Sequence, residues 1–406
     1  MSKPKPKLKP KPVSRSLFQR RRSVLLALCW YDYRVHSGAA RYAQEHDWIL
    51  HSEMGHTGLI PQEWKGDGVI SCIGTEKKSR DLAKFVQRIN LPTVNIGLET
   101  LSKGLRIQGI YWDTAAIGRM AAQHFLDRNF RHFACYVEHR DYINDGLSHA
   151  FRDTVNQAGY ECDIRSWKRR SGLEWEKERT RQEGWLGNAK RPLAVFAVSD
   201  LLAIRIMASC LDIGLQIPED VAILGCHNDA MDCLSAPIPL SSIETNEEGL
   251  GYQAAAILDQ MMSGEKLAPA PILIQPAGVI TRHSTDTLAT RHSAVQRVLR
   301  FIRENYAKPI TSTDLAAVAG MSRFGMEKAF KTQLNLLPIQ ELRRIRLETA
   351  QRLLGETDHK IETIAHDAGF RDATAMGVAF RRRFGLSPKK WRRQEQEKKE
   401  PANSGV

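Results

Sequence analysis

Three consecutive guanidinium groups, Arg381, Arg382 and Arg383, close the stretch "ATAMGVAFRRRF" at Phe384. A guanidinium offers its N–H groups as a planar fork that matches phosphate oxygens two at a time. Fifty residues upstream, "RFGMEKAFKTQL" carries a second cationic set, Arg323, Lys328 and Lys331, with Glu327 among them. If both stretches are helices, Met326 and Phe330, like Met376 and Phe380, lie four apart on one apolar face. The other faces then present Arg323, Glu327, Lys328 and Lys331 in the first copy and Thr374, Gly377, Arg381 and Arg382 in the second. Such a helix fits the ~12 Å major groove of double-stranded DNA, its N-terminal half reaching base edges and its basic end gripping phosphate.

A different set of polar groups sits just past short apolar runs. Tyr31, Asp32 and Arg34 follow "SVLLALC", Trp112 ends "IQGIYW", Asp200 follows "AVFAVS", and His227, Asn228 and Asp229 follow "AILGC". Acids, amides and imidazoles at strand ends exchange hydrogen bonds with hydroxyl groups, and Trp30, Tyr31 or Trp112 offers a flat surface for the apolar side of a sugar. For each taken singly, capping a helix is an equal reading, above all for Asp113 and Asp200, which open helical patterns. Nothing in the chain spells catalysis. GxGxxG, GxxxxGK[ST] and GxSxG are absent, the His/Asp pairs are too scattered for a triad, and neither metal nor cofactor is expected.

The elements that position these groups follow from periodicity. From Ser23 to Thr285 short runs, nearly continuous in apolar content ("SVLLALC", "GVISCI", "PTVNIG", "IQGIYW", "HFACYV", "LAVFAV", "DVAILGC"), alternate with amphipathic segments such as Thr114–Arg128 and Asp200–Gly214. Strands apolar on both faces belong in parallel sheets covered by helices, and the order spells repeated βαβ units. The pattern restarts at Arg131, which predicts two doubly wound lobes closing as a clamshell, with the cleft at the strand ends. After "GVITRHSTDT" the alternation stops and short helices follow. The expected organisation is a basic tail at 1–22, a two-lobed ligand-binding part at 23–285, a linker at 286–292, an all-α part at 293–393 and a flexible end at 394–406.

Within the all-α part the chain repeats itself. Leu315, Ala316, Ala319, Gly320 and Met321 fall 49 residues before Ile364, Ala365, Ala368, Gly369 and Phe370, whereas Phe330, Leu334 and Pro338 fall 50 before Phe380, Phe384 and Pro388. One residue is therefore inserted inside the second copy. Each copy reads as a helix-turn-helix, at 313–333 and 362–384: small residues let two helices approach, and a Gly takes the sharp turn. The 17 residues "PIQELRRIRLETAQRLL" between them span about 25 Å as a helix, which can hold two reading helices near the ~34 Å spacing of successive grooves.

Composition agrees. The 406 residues carry a net charge of +13, concentrated at the two ends. Residues 1–22 hold nine Lys or Arg and no acid, residues 290–393 hold 21 basic and 10 acidic side chains, and the stretch between is net acidic. A basic module seeks phosphate. The Lys-Pro leader is too poor in apolar residues to order itself, so it reads as extended, either grazing DNA phosphate or merely solvated. The seven cysteines, Cys29 to Cys233, show no CxxC spacing and read as buried thiols of a cytoplasmic protein. "RRRSVLLALCW" imitates an export signal, but no small-residue cleavage site follows, and no run reaches the ~20 apolar residues of a membrane span.

Ile364, Ala365, Gly369, Phe370, Phe380, Arg381, Phe384, Gly385, Pro388, Trp391 and Arg392 stand where the arabinose-activator (AraC) family has its consensus. Met376 departs from the usual Phe. The stretches Asp113–Ala134 and Ala194–Glu265 resemble the sensor of lac-repressor-type regulators, whose fold is a periplasmic-binding-protein-like clamshell around a sugar. Such a sensor placed ahead of an AraC-type module, with "GDGVI", "GYQAA" and "VITRHSTD", resembles the xylose-responsive class of activators. The resemblance implies a homodimer that binds promoter DNA, takes D-xylose as effector and works with RNA polymerase. It also puts Asp where this chain has His227, which leaves Asp229, two residues on, to take over through a shifted loop. An enzyme on the same fold and an exported binding protein are the competing classes.

Overall fold

The computed structural model describes residues 20–73, 77–97, 107–138, 146–167, 173–265, 267 and 270–399. In chain order the first elements are β1 (Ser23–Leu28), α1 (Tyr33–Glu45), β2 (Ile49–His51), α2 (Glu53–Thr57), β3 (Gly68–Cys72), α3 (Lys77–Ile89), β4 (Thr93–Gly97) and β5 (Gln108–Trp112). Then come α4 (Thr114–Leu126), β6 (His132–Glu138), α5 (Gly146–Gln157), β7 (Cys162–Trp167), α6 (Leu173–Asn188), β8 (Leu193–Ala197), α7 (Asp200–Asp212), β9 (Val221–Cys226), α8 (Ala230–Ser235), β10 (Ser241–Glu244) and α9 (Glu247–Met262). β11 (Ile272–Ile274), β12 (Gly278–Ile280) and a 3-10 turn at His283–Thr285 complete the α/β part.

These elements form two units, Met1–Asp113 with Asn246–Pro276, and Thr114–Thr245 with Ala277–Val406. The first holds a six-stranded sheet in the order β11-β5-β4-β3-β1-β2, parallel throughout. The second holds β12-β10-β9-β8-β6-β7, parallel except for β12, which runs against β10. Every residue of β3, β4, β5, β8 and β9 is buried, as two-sided helix cover requires. The second unit begins at α4, not at Arg131. A helix that opens a unit has the same amphipathic pattern as one that closes the preceding unit, so periodicity alone does not mark the crossing.

The helical part consists of α10 (Ser293–Asn305), α11 (Ser312–Ala319), α12 (Arg323–Leu334), α13 (Pro338–Glu356), α14 (Ile361–Asp367), α15 (Ala373–Phe384) and α16 (Pro388–Lys399). Two small cores share α13. Its first half gives Leu342 and Ile345 to a cluster with Val298, Ile302, Leu315, Met326 and Phe330, and its second half gives Leu347, Ala350 and Leu354 to one with Ile364, Ala365, Met376 and Phe380. Ser322 and Asp372, again 50 apart, cap α12 and α15. The inserted residue therefore lies in the second turn, where Phe370 and Arg371 stand against Met321 alone. Gly320 and Gly369 take φ of 67° and 79°, left-handed values that favour Gly.

Residues 286–292 are not a free linker. Thr287, Ala289 and Thr290 are buried, and Ala289 N–H donates to Arg128 O at 2.8 Å. Helix α10 is tied to the α/β part of its unit through Arg303 and Arg300, both paired with the buried Glu219. At the chain ends, residues 1–19 and 400–406 lie outside the described residues. Arg22, counted with the tail in the sequence, pairs with Asp259 and donates to Ser263 Oγ at 2.9 Å. The last helix continues past Arg393 to Lys399.

Helices α1 and α9 of the first unit meet backbone to backbone. A methyl group on Gly38 would lie 2.0 Å from Glu248 O, and one on Gly251 2.0 Å from Val35 O. Gly251→Ala is therefore expected to destabilise by about 1–3 kcal/mol. Gly187→Ala, in helix α6 with nothing within 4 Å of the new methyl, should raise stability by about 0.5–1 kcal/mol. Thermal melts of the full chain compare the two.

Candidate functional site

In the first unit, Asp32 is the N-cap of α1: its Oδ1 accepts from Arg34 N–H at 2.8 Å and from Val35 N–H at 3.4 Å. The same carboxylate holds the Arg34 side chain at 2.7 Å, and Arg34 Nη1 lies 3.6 Å from Glu247 Oε2. Glu247 is buried in the first turn of α9, a partner that no local pattern around Arg34 announces. Asp32 and Arg34 thus keep a small exposed fraction while bonded to each other. At the ends of β1 and β5, Trp30 stacks on Trp112 with ring centroids 6.1 Å apart. Trp30 remains 38% exposed, which leaves one aromatic wall open. Tyr31 faces elsewhere, its hydroxyl 2.9 Å from His36 Nδ1 and its ring against His36 and His56. Asp113 Oδ2 accepts from Gln275 Nε2 at 2.8 Å.

In the second unit, Asp200, His227, Asn228 and Asp229 come together under the turn that follows β9. Asp200 is 3% exposed. Its carboxylate accepts from Ser242 Oγ at 2.5 Å and from Asp229 N–H at 2.8 Å, and a methyl on Gly225 would lie 2.1 Å from its Oδ1. It is a buried strut of the turn rather than an exposed ligand contact. Nor does it cap α7, since Ser199 does that through Leu202 N–H. Asp229 caps α8, its Oδ1 accepting from Met231 and Asp232 N–H, and it is half-buried. His227 Nδ1 lies 3.2 Å from Thr245 Oγ1. Asn228 is bonded on three sides: its N–H donates to Ser242 Oγ at 2.9 Å, its amide Nδ2 to Glu244 Oε2 at 2.9 Å, and its Oδ1 accepts from Arg282 Nη2 at 2.9 Å.

Glu244 and Arg282 belong to this turn and escaped the sequence reading. Glu244 ends β10, a strand too short to stand out, and Arg282 lies in "VITRHSTD", whose signal was a resemblance and not a role. His227 and Asn228 both take left-handed φ, 90° and 49°, at a cost of about 1–3 kcal/mol each. The hydrogen bonds just described hold them there.

On the reading helices, Met326, Phe330, Met376 and Phe380 are buried as expected, and the residues one face round are presented outward. Arg323 is exposed and paired with Glu327 at 2.9 Å. Lys328, Lys331, Thr374, Arg381 and Arg382 are exposed and Gly377 is partly so. Two residues on the same outer ridge were missed because they are apolar: Phe324, 76% exposed, and Val378, 68% exposed. The 50-residue offset was the available signal, for it sets Phe324 over Thr374, Lys328 over Val378 and Lys331 over Arg381.

Burial raises the Asp200 carboxyl from the ordinary 3.8 to about 6. A raised acid favours the folded state while it is protonated, so this group's contribution is full below pH 3.8 and is lost as pH rises to about 6. The stability of the wild type relative to Asp200→Asn is therefore expected to fall by about 2 kcal/mol between pH 4 and pH 7, read from denaturant unfolding at the two values.

Comparison with known proteins adds the following. The periplasmic binding protein-like domain family matches residues 122–285, and a helix-turn-helix domain family matches residues 315–394. The xylose operon regulatory protein of Escherichia coli (strain K12) is 25% identical over 378 residues, 89% of this chain and 94% of that relative. The protein of the same name from Haemophilus influenzae is 25% identical over 380 residues, 89% and 95% of the two chains. A solved structure described as the xylose-binding transcription activator xylR aligns with a TM-score of 0.66 at 24% identity, over 93% of this chain and 99% of that one. At 89% of the chain, the aligned stretch takes in parts of both the sensor and the helix-turn-helix segment. The chain is a DNA-binding transcription regulator similar to the xylose operon regulatory proteins, with a periplasmic-binding-protein-like sensor followed by a helix-turn-helix module.

Proposed function

We infer that the chain is a cytoplasmic, effector-controlled regulator whose effector is a pentose, D-xylose first among the candidates. It acts as a homodimer that switches on genes for pentose uptake or breakdown through RNA polymerase, and it carries no catalytic activity. One observation carries the reading: the likeness to xylose operon regulatory proteins runs through sensor and DNA module alike, over 89% of the chain. Within the second unit, Asn228 and His227 are groups able to hydrogen-bond to hydroxyls; within the first, the exposed edges of Asp32 and Arg34 have the same chemistry and the Trp30–Trp112 stack offers an apolar wall. A regulator of the same build tuned to another sugar is the second reading. It is favoured by His227 standing where an Asp is expected and by Asp229 being engaged as a cap. An effector changes DNA binding only through a difference in its affinity for the two states.

On DNA, Arg381 and Arg382 grip phosphate, while Arg323 with Glu327, and Thr374, face base edges. Phe324 and Val378, apolar and unshielded on the same ridge, suit the methyl group of thymine, which an apolar side chain recognises in the major groove.

Gel-shift titration against the region upstream of the chain's own gene, with and without D-xylose, tests the reading. A sugar-dependent change in affinity is expected, and no shift in low salt under either condition would sink it. Calorimetry of the full chain against pentoses and hexoses separates the two effector readings. Arg381→Ala with Arg382→Ala should weaken every DNA sequence alike and lower the salt slope by about 2. Arg323→Ala and Phe324→Ala should alter base preference. For Phe324→Ala, replacing one operator thymine by deoxyuridine should cost the wild type severalfold and the variant nothing.

A further inference from the structure

The polypeptide passes only once from the sensor to the DNA module, through residues 277–292, and both ends of the middle of that passage are clasped. At the upstream end Arg282 donates to Asn228 Oδ1 at 2.9 Å and to Leu240 O at 2.8 Å. At the downstream end Asp286 Oδ1 accepts from Arg344 Nη2 at 3.0 Å. Arg344 lies on α13, the helix whose two halves complete the two helix-turn-helix cores, and it is fixed there by Glu341 at 2.6 Å and Glu348 at 2.5 Å.

Between the clasps the turn His283–Thr285 is locked into the sheet. Ser284 and Thr285 are fully buried. Ser284 Oγ donates to Ile223 O at 2.6 Å and accepts from Ser241 N–H at 2.8 Å. Thr285 Oγ1 donates to Ser241 Oγ at 2.8 Å, and that same oxygen accepts from Arg282 N–H at 2.8 Å. From α4, His124 Nε2 lies 2.9 Å from Thr285 Oγ1, and just past that helix Arg128 Nε donates to Thr285 O at 3.1 Å. Hydrogen bonds therefore lead from the His227–Asp229 turn through Arg282 and Ser241 to Thr285, the next residue along the chain is Asp286, and its bond to Arg344 reaches the helix between the two helix-turn-helix cores. The first member of this route is a strained loop, held in left-handed backbone by the very bonds that a hydroxyl ligand at Asn228 would compete for. A strained loop with competing partners is the kind of two-position element through which sites couple.

We propose that Arg282 and the Asp286–Arg344 pair are positioning residues for DNA recognition: the state of the Asn228 side chain sets, through the buried turn between them, the placement of α13 and so of both reading helices. This rests on the chain being a DNA-binding regulator, but it does not depend on which sugar is the effector, because the first link can be cut by mutation.

The test is a double-mutant cycle on operator affinity, with the full chain and a DNA fragment that it selects from a random-sequence pool. Asn228→Gly deletes the amide and still accepts the left-handed backbone. Asp286→Asn weakens the second clasp and leaves Arg344 paired with Glu341 and Glu348. Asn228→Gly is expected to shift operator affinity by about fivefold or more in the wild-type background and by less than about twofold in the Asp286→Asn background. Arg282→Met, which opens the first clasp from the other side, should reproduce both results. A residue that only supports the fold would lower affinity equally in either background. Equal shifts in the two backgrounds, or no shift from Asn228→Gly, would overturn the proposal alone. Failure to select any DNA would overturn the regulator reading and the proposal together.

Discussion

Strands buried on both faces leave a parallel sheet no lateral surface for polar chemistry. In each unit of this protein the central strands are buried and largely apolar, the few polar side chains among them, such as Ser71 and Asn95, being bonded to each other, so exposed polar groups gather at the strand ends. The cost of that arrangement is visible under β9. There a carboxylate, Asp200, is taken out of water to hold the following turn and is compensated by Ser242 and by the Asp229 backbone. Without Gly225 the carboxylate would have no room, and without the carboxylate the left-handed pair His227–Asn228 would lose the scaffold that keeps it strained.

The DNA module obeys a different constraint. Each helix-turn-helix is too small to bury a core alone, and the two solve this by sharing α13. The shared helix makes the separation of the reading helices a property of one rigid element. It also makes α13 the natural point of control, since a displacement there moves both readers at once. Residues 286–292 bond to the turn after α4 and α10 pairs with Glu219, so the module's first helix is tied to the α/β part of the same unit, while its central helix is tied to the connecting segment through Arg344 and Asp286.

The acidic sensor and the basic module also divide the labour of electrostatics. The arginines at the end of α15 are exposed, and an attraction to phosphate from exposed charges of this kind falls with salt. The arginines that fix architecture, Arg303 and Arg344, sit instead among Glu219, Glu341, Glu348 and Asp286, where their charge is spent on the protein itself. Residue type does not distinguish these roles, whereas burial does.

The sequence by itself determined the strands of the two sheets that are long and apolar, the duplicated helix-turn-helix, and the buried Met/Phe pairs of the reading helices. It could do so because burial on two faces and on one helical stripe leaves local periodic traces. It also determined the outward set on those helices, apart from Phe324 and Val378, whose apolar type disguised their exposure. Tertiary structure alone decided which strand-end acids are free. Asp200, Asp229 and Asp32 look alike in sequence, yet one is a buried strut, one a helix cap, and one a cap that also holds Arg34. Their partners, Ser242, the first turn of α8 and Arg34 with Glu247, include groups brought close only by the fold. The same holds for Arg282 and Asp286, four residues apart in the chain, whose partners Asn228 and Arg344 lie 54 and 58 residues away. A hydrogen bond between groups so far separated leaves no periodic mark for a sequence to show.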